Sequence, residues 1–152
     1  MYHRSSIAAL QKDGSIASIN LFFSKSRRHV DNTLRFKYNC ESAVSQLLDL
    51  GDLLWLDDKP GGYSDYYDPE RKWCVAFARD EGVQEMKAQV YGDLDKWLEG
   101  IRNCEFAYIF DIDAWFGYTR YITERTTATG VQNLAYWLDE DGNHVSGYFP
   151  LN

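Results

Sequence analysis

Short apolar runs separated by polar turns recur along the chain, and the first two predict a hairpin. Residues 4–10, RSSIAAL, and residues 16–23, IASINLFF, flank the turn Lys12-Asp13-Gly14-Ser15. An Asp-Gly pair between two such runs is a strong hairpin signal, because its backbone adopts the positive φ angles that a tight turn needs. Apolar runs also flank the turn Asp111-Ile112-Asp113-Ala114 within 106–119, and another Asp-Gly turn within 133–149, so the sequence predicts three hairpins.

Apolar residues spaced three and four apart predict helices between these hairpins. The spacing holds over residues 29–37, again from an N-cap at Asn39 up to Gly51, and a third time over residues 83–100. Gly51 suits the left-handed position that follows a helix, because glycine carries no Cβ. Residues 73–78 are mainly apolar and predict one further strand.

These elements predict an α+β fold, with an antiparallel sheet built from hairpins and two or three helices packed on one face. The 152 residues are expected to form a single globular domain, since domains typically have about 100–150 residues. No apolar run approaches the roughly 18 residues that span a bilayer, and the N-terminus lacks the apolar core of a signal peptide. We therefore expect a cytoplasmic protein without membrane contact.

Asp49 and Asp52 stand on either side of the predicted helix end at Gly51. Two carboxylates so placed suit a divalent cation or an acid and base pair. Aspartates are mostly exposed in folded proteins, however, and a helix end usually lies at the surface. We therefore expect both side chains to be solvated.

A long loop is predicted at 57–73, which holds two of the three prolines and an adjacent pair of glycines. Loops of this length are commonly functional or disordered. Rings alternate with carboxylates in this loop, and such a composition suits recognition by contact, because Tyr and Trp anchor many interfaces. The candidate anchors are Tyr63, Tyr66, Tyr67 and Trp73.

The net charge of −7 is unevenly distributed, with +5 on residues 1–37 and −12 on residues 38–152. An acidic total disfavours nonspecific binding to nucleic acid. The basic segment 25–37 is the exception, because its cations alternate with aromatic rings. That combination suits a nucleotide or single-stranded nucleic acid, an acidic protein surface, or simple solvation. Its candidate binding residues are Arg27, Arg28, Arg35 and Lys37.

The sequence favours binding over catalysis. It contains no glycine-rich phosphate-binding loop, no GxSxG elbow and no HExxH motif. The three histidines and three cysteines are too widely spaced to predict a metal site or a disulfide framework. An active site would have to be assembled from other residues, and the first candidates are Arg79, Asp80 and Glu81. We expect no cofactor and no metal.

Six short motifs follow one another between residues 4 and 118. They are Arg4-Ser5-x-Ile7, Asp13-Gly14-Ser15, Leu34…Tyr38, Leu47-x-x-Leu50-Gly51-Asp52-Leu53, Arg79-Asp80-x-Gly82 and Tyr108-x-Phe110…Trp115. Their order resembles that of a family of small accessory proteins of tailed bacteriophages, whose activity is not established. Members of that family show a histidine-aromatic-aspartate-glycine segment after the second strand, where this chain has Phe22-Phe23-Ser24-Lys25-Ser26-Arg27-Arg28. The resemblance implies a phage origin and no particular chemistry.

Three hypotheses about function follow from these features. The first is a phage-encoded accessory protein that binds and inhibits a host protein, such as a component of anti-phage defence, through the loop at 57–73. The second is a nucleotide or single-stranded nucleic-acid binding protein that uses the segment 25–37. The third is a small enzyme with a site near Arg79-Asp80-Glu81. The resemblance favours the first hypothesis, because it implies an accessory role, and small accessory phage proteins often act by stoichiometric binding.

Overall fold

The computed structural model describes residues 4–24, 26–61, 73–83 and 86–151. In these ranges nine strands form one sheet and four helices pack against it, so the predicted α+β class is confirmed. No helix in the described ranges is both long enough and apolar enough to cross a membrane. The elements in chain order are β1 (Ser5–Leu10), β2 (Ile16–Phe23), α1 (Arg27–Lys37), α2 (Glu41–Asp49), β3 (Leu53–Trp55), β4 (Val75–Ala76), α3 (Phe77–Asp80), β5 (Gln89–Tyr91), α4 (Leu94–Gly100), β6 (Phe106–Asp111), β7 (Ala114–Thr127), β8 (Gly130–Asp139) and β9 (Phe149–Pro150).

The strand order across the sheet is β4-β3-β2-β1-β6-β7-β8-β9, and β5 pairs with the first half of β2. The sheet is mixed, whereas the sequence predicted an antiparallel one: β1 pairs with β6 and β2 with β3 in parallel. Parallel pairing requires the chain to cross over the sheet between the two strands. The two helices α1 and α2 form such a crossover from β2 to β3.

Helices cover both faces of the sheet, which differs from the predicted one-sided packing. The helices α1 and α2 lie on the face that carries Ile7, Ile19 and Tyr108, here called the α1 face. The opposite face carries Ala8 and Ile109 and is covered by α4; it is called the α4 face. Strand β1 has the sequence SSIAAL, with five of its six residues buried. Because neither face of this strand is polar enough for solvent, both are covered.

The helix predicted at 83–100 is shorter in the structure. Residues 94–100 are helical, while Val90 and Tyr91 belong to β5 and pair with β2. Asp93 caps the helix, because its carboxylate accepts a hydrogen bond from the backbone nitrogen of Lys96 at 2.8 Å. The regular spacing of apolar residues thus continues through both the strand β5 and the helix α4, although Gly92 and the Asp93 cap separate these two elements. The strand predicted at 73–78 is likewise reduced to β4, and α3 follows it directly.

The N-terminal hairpin and the hairpin of β6 with β7 are confirmed. The third hairpin differs from its prediction. Strand β8 pairs mainly with β7, from Tyr118 opposite Asp139 to Thr127 opposite Gly130, and only briefly with β9. Residues 121–127 therefore belong to β7, and their β-branched residues suit a strand.

Strands β7 and β8 extend beyond the rest of the sheet. Pairing of β7 with β6 ends at Thr119, and β8 meets β9 only at Leu134 and Ala135. None of residues 121–133 is buried. This segment, here called the arm, is a two-stranded ribbon that exposes both of its faces.

Gly51 ends α2 as predicted, with φ of +75°. It also packs against the segment that follows β4: a Cβ at this position would lie 2.1 Å from the carbonyl oxygen of Met86. The next backbone nitrogen, that of Asp52, donates a hydrogen bond to the same oxygen at 2.8 Å. The glycine is therefore required both by its φ angle and by the close approach of another chain segment.

Asp52 is buried, at 8% exposure, which corrects the expectation that it and Asp49 are both solvated; only Asp49 is exposed. Its carboxylate accepts a hydrogen bond from the backbone nitrogen of Asn20 at 2.8 Å, and the Asn20 side chain also bonds to it. Burial raises the pKa of Asp52 above its ordinary value of 3.8, while the bonds from Asn20 and the charge of Arg4 oppose this shift. Asp52 therefore joins the end of α2 to β2.

Gly51→Ala is expected to lower the free energy of unfolding by roughly 2 to 4 kcal/mol, because it adds a steric clash to a left-handed backbone. Gly14→Ala is the matched control: its φ is +88° and nothing lies within 4 Å of the added Cβ. The control should cost only about 1 to 2 kcal/mol. Urea unfolding of both variants gives the comparison, and equal losses would contradict the clash.

Asp52→Asn is expected to change how stability depends on pH. Because the folded-state pKa of Asp52 is raised, its favourable contribution is complete below its ordinary value of 3.8 and is lost as pH rises through the folded value. The asparagine variant cannot ionise, so it should gain stability relative to wild type between about pH 4 and 7. Urea titrations across this range test the shift, with Asp49→Asn as the exposed control. A pH-independent difference would count against the buried carboxylate.

Candidate binding surfaces

Arg79, a candidate catalytic residue, holds the base of the loop at 57–73. Its guanidinium donates hydrogen bonds to the carbonyl oxygens of Pro60 at 2.8 Å, Gly61 at 2.7 Å and Cys74 at 2.8 Å. It also donates to both carboxylate oxygens of Asp80, each at 2.9 Å. A guanidinium has five N–H donors, so these five bonds give every donor a partner within the chain.

Asp80 is enclosed by the groups that it binds. Its side chain is 0% exposed, against 19% for Arg79, and it also accepts a hydrogen bond from the backbone nitrogen of Ala76 at 2.8 Å. Buried ion pairs with this many hydrogen bonds fix chain geometry and have little room to meet a substrate. Glu81 is exposed on the surface. The three candidates therefore form a structural ion pair and an exposed carboxylate.

Trp73, a candidate binding residue, lies at the same loop base and is half-buried. The ammonium of Lys59 lies 5.2 Å from the centroid of its ring, and Lys59 also accepts a backbone hydrogen bond from Cys74 at 2.8 Å. The two ends of the loop are thus joined to each other. The other three anchors predicted in this loop, Tyr63, Tyr66 and Tyr67, lie outside the described residues.

The four candidate cations of segment 25–37 lie on α1 and have different environments. Arg35 donates a hydrogen bond to Asp31 at 2.9 Å and pairs with Glu140, and the bond to Asp31 raises the pKa of Arg35. Lys37 lies 4.0 Å from Asp58. Arg27 and Arg28 are both exposed, and the Arg27 guanidinium lies over the ring of Phe106, 5.1 Å from its centroid. The segment is therefore partly neutralised, and its N-terminal end carries the exposed charge.

A row of four aromatic side chains lies on the α1 face of strands β7 and β8, at the opposite edge of the sheet from the loop. Tyr136 stacks on Tyr121, with centroids 5.8 Å apart, and on His144, with centroids 4.9 Å apart and the rings 7° from parallel. Tyr148 lies 5.4 Å from Tyr136 at an angle of 51°. We call these four residues the aromatic row. Tyr121 is 46% exposed and Tyr148 is 55% exposed, so the row presents rings to solvent.

Sequence reasoning missed the aromatic row because its members come from separate segments. Tyr121 and Tyr136 are directly opposite each other in the register of β7 with β8. His144 and Tyr148 come from the segment that returns to β9. The only signal in the sequence was the high aromatic content of 16%. It predicts more aromatic side chains than one core can hold, but it does not say where on the surface the others lie.

Two of the three thiols are buried and unsuited to nucleophilic chemistry. Burial raises the pKa of Cys104 to about 11 and also raises the pKa of Cys74. The Cys74 sulfur lies 3.3 Å from the Tyr38 hydroxyl and within a polar network that includes Asp57. A thiol is nucleophilic only as the thiolate, so these two residues act as packing groups. Cys40 is exposed at the N-cap of α2.

Within the described ranges, no three His, Cys, Asp or Glu side chains are placed to hold a metal ion together. A scan against protein-family models and searches of curated proteins and of solved structures found no match to this chain.

Arg79→Ala is expected to lower the free energy of unfolding by about 3 to 5 kcal/mol, because it leaves the enclosed Asp80 carboxylate without its cation. Arg28→Ala removes an exposed arginine from α1 and should change stability by no more than about 0.5 kcal/mol. Urea unfolding followed by circular dichroism measures both. A loss of less than 1 kcal/mol for Arg79→Ala would show that the pair does not hold the loop.

Proposed function

We propose that this protein acts by stoichiometric binding of a host protein, which it inhibits, and that it is an accessory protein of a tailed bacteriophage. The loop at 57–73 is the proposed contact surface, with Tyr63, Tyr66, Tyr67 and Trp73 as its anchors. The phage origin rests on the order of sequence motifs between residues 4 and 118.

The observation that carries this proposal is the anchoring of the loop base. Arg79 bonds to carbonyl groups on both sides of the loop, at Gly61 and at Cys74. A loop that joins two fixed ends loses less conformational entropy on binding than one with free ends, which favours tight contact. The composition of the loop, with tyrosines among aspartates, matches that of interface hot spots.

The same bonds support binding over catalysis. The side chains of the catalytic candidates Arg79 and Asp80 form hydrogen bonds to each other and to the backbone. An acid, base or anion-binding group must be within hydrogen-bond reach of its substrate. Because the donors and acceptors of these two side chains are already bonded within the chain, Arg79 and Asp80 are suited to holding the loop and not to binding a substrate.

Tyr66→Ala with Tyr67→Ala is expected to lower the affinity for the host protein at least about tenfold, as truncation of hot-spot tyrosines does. Tagged protein would be used to capture its partner from nuclease-treated bacterial lysate, and the affinity for the identified partner would then be measured by calorimetry. Phe36→Ala is the control, because it removes an aromatic ring of α1 that is 73% exposed and does not belong to the loop.

Retained affinity in the double tyrosine variant would contradict the assignment of the loop. Absence of any stoichiometric protein partner in the capture experiment would contradict the proposed function itself. Equal losses for Phe36→Ala and the loop variant would place the contact on α1 instead.

A further inference from the structure

The aromatic row is an uncovered part of the α1 face. The helices α1 and α2 pack over β1, β2, β3 and β6 and reach only the first part of β7. Beyond that point Tyr121 and Tyr148 remain about half exposed. Tyr121 stacks on the half-buried Tyr136, and Tyr148 lies against the same ring at an angle of 51°. The row therefore offers flat aromatic surfaces held in fixed orientations.

Two arginines flank Tyr121 along the direction of β7. On one side, the Arg27 guanidinium covers Phe106, and Phe106 is opposite Thr119, the next residue to Tyr121 on the same face of β7. On the other side, Arg125 projects from the same face, four residues or about 13 Å along the strand from Tyr121. The side chain of Gln132 accepts a hydrogen bond from Arg125 at 2.5 Å, which holds the guanidinium over this face.

Carboxylates near the row are neutralised or point elsewhere. Asp31 and Glu140 both bind Arg35. Glu124 alternates with Arg125 along β7 and therefore lies on the α4 face. Asp139 also lies on the α4 face and caps the turn before His144 by accepting hydrogen bonds from two backbone nitrogens. Near the row, the α1 face thus carries three arginines, Arg27, Arg35 and Arg125, and the two carboxylates of Asp31 and Glu140, which is an excess of one positive charge on a chain with a net charge of −7.

We propose that the aromatic row is a binding site for single-stranded nucleic acid. Bases stack on Tyr121 and Tyr148, and phosphates pair with Arg27 and Arg125. Stacking on exposed rings within a basic groove is the usual means of holding single strands without sequence preference. A duplex is excluded because its base faces are already stacked on one another. This site goes beyond the proposed function, since it lies at the opposite edge of the sheet from the loop and involves a different ligand.

The charge distribution favours nucleic acid over a protein partner at this site. A surface that binds a protein typically has aromatic residues at its centre and a rim of polar residues around them. Here the exposed cations Arg27 and Arg125 lie on either side of Tyr121 along β7, while the nearby acids Asp31 and Glu140 are bonded to Arg35. Cations that bracket a stacking surface match a ligand in which flat bases alternate with phosphates.

The test measures binding of fluorescein-labelled dT15, rU15 and a 15-base-pair duplex to the full chain by fluorescence anisotropy, from 20 to 200 mM salt. Wild type should bind at least one of the single strands and bind the duplex more weakly. Tyr121→Ala with Tyr148→Ala should weaken binding at least tenfold, because each stacked base is lost. Arg27→Gln with Arg125→Gln should reduce the slope of log affinity against log salt by about 0.7 for each arginine.

Phe116→Ala is the matched control. Phe116 lies on the same strand as Tyr121 and has the same exposure of 46%, but it projects from the α4 face. Its binding should equal that of wild type. Circular dichroism and urea unfolding of every variant separate lost binding from lost folding.

Absence of single-strand binding at 20 mM salt would overturn the inference, and so would equal losses for the Phe116 and tyrosine variants. If the aromatic row is needed to capture a protein from nuclease-treated lysate, and the chain binds neither dT15 nor rU15, the inference is overturned in favour of a protein partner. The loop variant Tyr66→Ala with Tyr67→Ala should bind oligonucleotides normally. Failure of the row and failure of the proposed loop contact are thus distinguishable.

Discussion

A hydrogen bond beneath α4 determines how the sheet is covered. The indole nitrogen of Trp97 donates to the Ser18 hydroxyl at 3.0 Å, and the hydroxyls of Ser18 and Ser6 share a bond of 2.6 Å. All three side chains are buried. A buried polar group without a partner costs about 1 to 3 kcal/mol, so the indole N–H of the buried Trp97 needs the serine hydroxyls of β1 and β2 beneath it. This contact fixes α4 on one face, and α1 and α2 are left to cover the other.

Buried polar groups hold the chain where regular structure ends. Asp52 joins the end of α2 to β2, and Arg79 closes the loop that lies between β3 and β4. Both residues belong to the β4 side of the sheet. The aromatic row occupies the opposite edge, and the shared core lies between the two surfaces. Among the described residues the two surfaces have no member in common, and effects of distant substitutions are usually additive.

Local signals in the sequence predicted the elements that are defined by near neighbours. The Asp13-Gly14 turn specified its hairpin, and Gly51 specified the end of α2. The mixed pairing was not predictable in this way, because β1 meets β6 only after about a hundred residues of intervening chain. The burial of Asp52 depends on Asn20, which is 32 positions away in sequence.

The candidate surfaces show the same limit. Tyrosines in the loop could be identified from composition, since they lie in one segment, but the structural role of Arg79 depends on carbonyl groups up to 19 positions away. The aromatic row requires the register of β7 with β8 and the return of the chain to β9. An apolar period shared by β5 and α4 predicted helix over residues 86–93, where the structure has none, because α4 begins only at the capping Asp93.

Because side chains alternate between the two faces of β7, the effect of losing residues from this strand depends on how many are lost and where. Side chains of a strand point to opposite faces in turn, so a shift of one residue exchanges the two faces. Loss of two residues beyond Arg125 would shorten the ribbon and leave Tyr121 in place. Loss of a single residue between Trp115 and Tyr121 would rotate Tyr121 and Arg125 together onto the α4 face. Insertions and deletions at the tip of the arm are thus compatible with this fold and with the aromatic row. Between Trp115 and Tyr121, only an insertion or deletion of an even number of residues keeps each side chain on its face.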